Sequence, residues 1–212
     1  MATGGNLREA SRRAVRTQLA ATAQSLFIAK GFEETTVDEI AAAAGISQRS
    51  FFRYFASKDD VILDNLDRLS DELAAAVAAR PADEPEWDSL RRAFAPMAEQ
   101  FADRECREHD AAVQRIIEES PQLLAAYLQR LDRIQQRLTE ELLARAAARG
   151  PGRAEDRVVM RALVGAAFAC LHAATSQVAA GGDPERFGLH LDRAMGALRP
   201  AGGPGRVPAQ SR

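Results

Sequence analysis

Cysteine is scarce in this chain. Cys106 and Cys170 are the only two among 212 residues. They lie far apart and in no CxxC spacing, so a disulfide framework is excluded, and they read as single reduced thiols of a cytoplasmic protein. Histidine is nearly as rare: His109, His172 and His190 fit no metal-ligand spacing, and no metal site is expected. A glycine-rich phosphate loop and a nucleophile motif are both missing. The adjacent carboxylates Glu118-Glu119 and Glu140-Glu141 read as solvated helix faces. An enzyme is therefore not expected, and no cofactor is implied. The chain also lacks a global positive field, its formal net charge being −2. Its longest apolar run, Ala162 to Ala174, is too short to span a membrane, and its first residues hold no secretory core. A cytoplasmic location without a membrane partner is expected.

Runs of Val, Ile and Thr of the strand type are missing too, whereas alanine is abundant, which predicts an all-α fold. With 46% hydrophobic residues the chain can bury a sizeable core, as one domain or as a small domain fused to a larger one. The charge is unevenly spread. Residues 1–60 have a slight basic excess, concentrated in Arg8, Arg12, Arg13 and Arg16, and a local basic arm on an acidic body can bind a phosphate backbone.

The stretch from Thr35 to Lys58 is the most informative. Thr36 and Glu39 have the capping-box spacing. Ser47 and Ser57 each precede a helix-start pattern. Between the first two starts, Ala41–Ala44 ends at Gly45, a residue suited to the left-handed turn that closes a helix. A short helix, a glycine turn and a second short helix make a helix-turn-helix, whose second helix enters the major groove. Phe51 and Phe55 share one side of that second helix and are expected in a small core with Phe27, Phe32, Val37, Ile40 and Ile46. Its other side carries Gln48, Arg49, Phe52 and Arg53. Periodicity alone does not separate a solvated face from a reading face. The residue types favour reading: Gln and Arg pair with adenine and guanine edges, and an exposed Phe can meet a thymine methyl. Lys58 lies in the first turn of a helix, where a cation opposes the dipole unless an anion is bound nearby. The Thr36 hydroxyl and the Tyr54 hydroxyl are further phosphate candidates, as are Arg12 and Arg16.

From about Arg12 to Leu63 the chain resembles the DNA-binding domain of TetR-type (tetracycline repressor-like) transcriptional regulators. The resemblance rests on the long first helix, Gly31-Phe32, Thr35-Thr36, Ile40-Ala41, Ala44-Gly45-Ile46-Ser47, the aromatic cluster and Phe55-x-Ser57-Lys58, all in order. It implies that Gln48, Arg49, Ser50 and Arg53 contact bases and that Thr36, Tyr54 and Lys58 contact phosphates. Many members carry Tyr where this chain has Phe52, so a phosphate-directed hydroxyl is lost there.

The expected organisation is a helix-turn-helix domain at 8–57, a larger helical domain at 58–199 and a disordered tail at 200–212, with a disordered start at 1–7. After Lys58 one helix is expected to about Ala79, then a helix from Trp87 to Arg104 kinked or split at Pro96. Further helices are expected at 107–118, from Ser120-Pro121 to about Arg149 and ended by Gly150–Gly152, at 154–180, and from Asp183-Pro184 to about Leu198. The resemblance further implies a two-fold homodimer built on the last two helices, which reads a palindromic operator. It also implies a small-molecule effector bound in the C-terminal domain. Candidate pocket residues are Phe94, Met97, Phe101, Tyr127, Phe168 and His172, and their character points to an apolar or amphipathic ligand. The function expected is a repressor released from DNA by that effector. An architectural DNA-binding protein without effector and an all-helical enzyme are the alternatives.

Overall fold

The computed structural model describes residues 3–149 and 156–200. These form eleven α-helices and one 3-10 turn, with no strand among the described residues. The all-α expectation holds. The chain divides into two compact units.

The first unit comprises the residues up to Asp67 together with His109–Gln129. It holds α1 (Thr3–Lys30), α2 (Val37–Ala43), α3 (Gln48–Phe51), α4 (Lys58–Ile62) and the beginning of α5 (Asp64–Ala78). It also takes in most of α8 (Arg104–Glu119) and the beginning of α9 (Pro121–Ala148). Its core is Leu19, Ala23 and Phe27 of α1, Ile40 of α2, Phe51 and Phe55 around α3, and Val61, Ile62 and Leu63 at α4. The Phe27 ring meets Phe32 at 4.9 Å and the Phe51 ring meets Phe55 at 5.9 Å. Phe32, Val37 and Ile46 are half-buried at the edge of this core.

Two expectations are corrected here. α1 begins at Thr3 rather than near Arg8, so a disordered start at 1–7 does not describe residues 3–7. The strong helix formers Leu7–Ala10 carry no proline or cap that would stop the helix growing upstream. The single helix expected after Lys58 is broken at Leu63 (φ −99°, ψ 8°). Four consecutive buried residues, Val61 to Asp64, cannot share one side of a straight helix. The break turns them all inward.

The second unit comprises Arg68–Glu108 and the described residues from Arg130 onward. It holds α6 (Glu86–Phe94), α7 (Met97–Ala102), α10 (Arg157–Ala179), a 3-10 turn at Pro184–Arg186 and α11 (Phe187–Ala197). The Trp87–Arg104 helix is split, because Pro96 has no amide hydrogen and its ring crowds the carbonyl one turn back. α10 packs on α6 and α11 through Met160, Val164, Ala167, Leu171, Ala174 and Val178. Its length corrects the membrane count: this one helix is long and apolar enough to cross a bilayer, but its apolar residues on one side are those of a packed core. The Trp87 indole N–H donates to the Met195 carbonyl at 3.1 Å, tying α6 to α11. Arg145 is buried on α9 and donates to the carbonyls of Val77, Arg80 and Pro81. The Val77 carbonyl lies in the last turn of α5 and the other two just beyond it, so Arg145 ties down carbonyls at the helix end. The helix stop expected at Gly150–Gly152 and the tail beyond Pro200 lie outside the described residues.

Candidate nucleic-acid interface

The local sequence builds the helix-turn-helix from its caps. Thr36 Oγ1 accepts the Glu39 amide at 3.2 Å while the Glu39 carboxylate accepts the Thr36 amide at 2.9 Å, a complete capping box. Lys30 donates to the same carboxylate. That ammonium, then the Thr36 amide, holds the Glu39 carboxyl at about 2, well below its ordinary value. α2 ends at Gly45, whose φ of +69° is the left-handed conformation. The Ile46 amide donates to the Ala41 carbonyl and the Gly45 amide to the Ala42 carbonyl, which completes the turn into α3. Ser47 caps α3 by accepting the Ser50 amide at 3.2 Å. Ser50 Oγ lies 3.0 Å from Ser47 Oγ, so this predicted base contact also closes the cap.

α3 is shorter than the two-sided 48–55 helix of the sequence reading. Regular α-helix ends at Phe51, and Phe52 to Phe55 close through a tightened turn, with Arg53 donating to the Ser50 carbonyl and Tyr54 to the Phe51 carbonyl. The two sides survive this shortening. Phe51 and Phe55 are buried, whereas Phe52 is 52% exposed with its ring edge-on to Phe51. Gln48, Arg49 and Arg53 are exposed. Among the described residues their side chains have no partner, nor does the Tyr54 hydroxyl.

The cations flanking this face are placed differently. Arg16 Nε donates to Asp64 at 2.6 Å and its Nη1 to the Tyr54 carbonyl at 3.1 Å. Arg12 Nη2 donates to the Arg53 carbonyl at 3.4 Å. Lys58 Nζ donates to the Phe32 carbonyl at 2.8 Å and sits 4.6 Å above the Phe32 ring. Lys58 therefore needs no anion beside it to offset the helix dipole, because two backbone carbonyls, of Phe32 and Glu33, already receive its protons. The Thr36 hydroxyl is likewise occupied by Glu39.

Two sequence profiles match the chain. One, described as bacterial regulatory proteins of the tetR family, covers residues 19–64, and one described as the MftR C-terminal domain covers 84–202. The chain belongs to the TetR family. The regulator TcmR of Streptomyces glaucescens is 37% identical over 146 residues, 67% of this chain and 65% of TcmR. EthR of Mycolicibacterium smegmatis is 43% identical over 67 residues, 30% of this chain and 31% of EthR. The chain thus spans less than two thirds of either relative. Among solved structures, the TetR-family repressor FadR of Thermus thermophilus, in complex with lauroyl-CoA, superposes with a TM-score of 0.57 at 23% identity. That match covers 90% of this chain and all of FadR, and it shows the TetR fold.

The profile over 84–202 covers most of the second unit. The structure brings Phe94 and Phe168 into an edge-to-face contact at 5.4 Å. Phe101 is stacked on Phe187 at 4.6 Å, a partner the sequence reading missed because the two are 86 positions apart. Met97 and Phe168 are half-buried and His172 is exposed. Tyr127 belongs to the first unit, where burial and the Glu118 carboxylate raise its pKa. An open groove of about 630 Å³ is lined by Gln135, Arg157, Val158, Arg161, Ala162 and Gly165.

Proposed function

We propose that this chain is a sequence-specific DNA-binding transcriptional regulator of the cytoplasm. It acts as a homodimer and as a repressor released from a palindromic operator by a small apolar or amphipathic effector. One observation carries the DNA reading: α3 and the turn that closes it bury Phe51 and Phe55 and leave Gln48, Arg49 and Arg53 exposed, without a side-chain partner among the described residues. Long donor-rich side chains held on a rigid turn suit base edges. Ser50 and Phe52 complete the reading set. Tyr54 and Arg12, with the remaining proton of Lys58, serve the phosphates beside it, and Thr36 orders the helix before it. Residues 8–57 form the DNA-binding domain in this reading and 58–199 the ligand-binding and dimerisation domain.

The dimer reading is supported by α10, whose outward side keeps Val158 74% exposed and leaves Ala162, Ala169 and Ala173 in solvent. Small residues let a second copy approach closely. Two copies would set their reading helices about 34–36 Å apart, one turn of DNA. The effector reading draws on FadR, which is a repressor and holds lauroyl-CoA. The close ring contacts of Phe94 with Phe168 and of Phe101 with Phe187 favour a second reading, DNA binding without an effector.

The test is selection of duplexes from a random-sequence library, followed by binding isotherms at several salt concentrations. Recovery of an inverted repeat, with affinity falling steeply as salt rises, is expected. Recovery of no common sequence overturns the proposal. Addition of acyl-CoA thioesters of graded chain length then separates the two readings, since only the first predicts release.

A further inference from the structure

The guanidinium of Arg16 stands at a junction within the first unit. Nε donates to Asp64 Oδ1 at 2.6 Å, Nη1 donates to the Tyr54 carbonyl at 3.1 Å, and Nη2 lies 3.7 Å from Asp67. Cζ sits 4.6 Å from the centre of the Phe55 ring. These contacts join the turn that closes α3, the ring that anchors this turn in the core, and the first turn of α5. Asp64 is 1% exposed, so its carboxylate is held out of water beside the Arg16 fork. The Tyr54 carbonyl is one of the carbonyls left over where α3 ends, and a cation is the favourable group there. Arg12 does the same, more weakly, for the Arg53 carbonyl.

We propose that Arg16 is a positioning residue for the DNA-reading face and not a phosphate ligand. It locks the Arg53–Phe55 turn onto the first residue of α5 and so fixes the direction in which Arg53 and Tyr54 leave the protein. The proposal rests on the DNA-binding reading above. Its chemistry needs a planar fork. A lysine keeps the charge but presents one point donor and cannot bridge a carboxylate and a carbonyl in fixed directions.

The two roles predict opposite signs for Asp64. If Arg16 meets phosphate, Asp64→Asn removes a nearby negative charge and tightens DNA binding. If Arg16 positions the turn, Asp64→Asn loosens it. The experiment measures full-length parent, Arg16→Lys, Arg16→Ala and Asp64→Asn on two probes: the tightest duplex recovered from a random library and a scrambled duplex of equal composition. Melting curves establish that each variant is folded. Expected are losses of about five- to a hundredfold on the selected duplex for all three variants. Affinity for the scrambled duplex and the salt slope stay at parental values. The proposal is overturned if Arg16→Lys binds like the parent, if Asp64→Asn binds more tightly, or if Arg16→Ala weakens both duplexes alike with a salt slope lower by about one. Should Asp64→Asn not fold, Arg16→Lys decides. A parent that does not distinguish the two duplexes defeats the DNA-reading proposal first, and this one falls with it.

Discussion

The cations around the helix-turn-helix fall into two groups that look alike in sequence and differ in use. Arg12, Arg16 and Lys58 each spend donors on backbone carbonyls, and Arg16 also on Asp64. Arg49 and Arg53, on the side of α3 opposite the core, spend none on the described protein. The first group stabilises the turns that give the motif its shape, and the second is free to be spent on something else. A basic residue near a DNA-binding element is thus no sign of a DNA contact until its protons are accounted for.

Inward and outward side chains differ most at two neighbouring aromatics. Phe51→Ala empties a fully buried site and should cost about 3–5 kcal/mol of stability. Phe52→Ala, one position on, should stay within about 0.5 kcal/mol of the parent. Paired denaturant titrations check both. Next in size is Arg49→Ala, which should lose about 1–3 kcal/mol of discrimination at one base position with the melting temperature unchanged. Binding to single-site operator variants reads this directly. Thr36→Ala removes a cap and should cost about 1 kcal/mol of stability, visible as a lower urea midpoint at an unchanged slope.

The smallest effect is a pH dependence. The folded Glu39 carboxyl sits at about 2, below its ordinary 4.5, so the folded form binds that proton less readily. Its stabilising contribution is therefore complete above 4.5 and is lost as the pH falls through about 2. The melting temperature of the parent should exceed that of Glu39→Gln near neutrality, with the gap closing on acidification toward pH 2.

The helices, their caps and the inward face of α3 were legible because each is written locally. Thr36 and Glu39 are three apart, Gly45 follows the alanine run, and Phe51 and Phe55 are one turn apart. The break at Leu63 was hidden, because a run of apolar residues reads equally well as one continuous helix, and only burial from two sides separates the two. Asp64 as the partner of Arg16 carries no signal at all across 48 positions. For the aromatics of the second unit, sequence does not distinguish a ring that lines a space from a ring stacked on another. The Phe101–Phe187 contact is of that second kind.

Four residues of helix cannot persist alone in water, since the first turn fixes several backbone angles for a single hydrogen bond. α3 owes its shape to Phe51, Phe55 and the carbonyls tied down behind it, not to the residues that face outward. Heredity can therefore rewrite Gln48, Arg49, Phe52 and Arg53 one at a time with little loss of folded protein. Copies of such a gene can drift toward new target sequences while keeping one scaffold, and selection acts on the two properties almost separately.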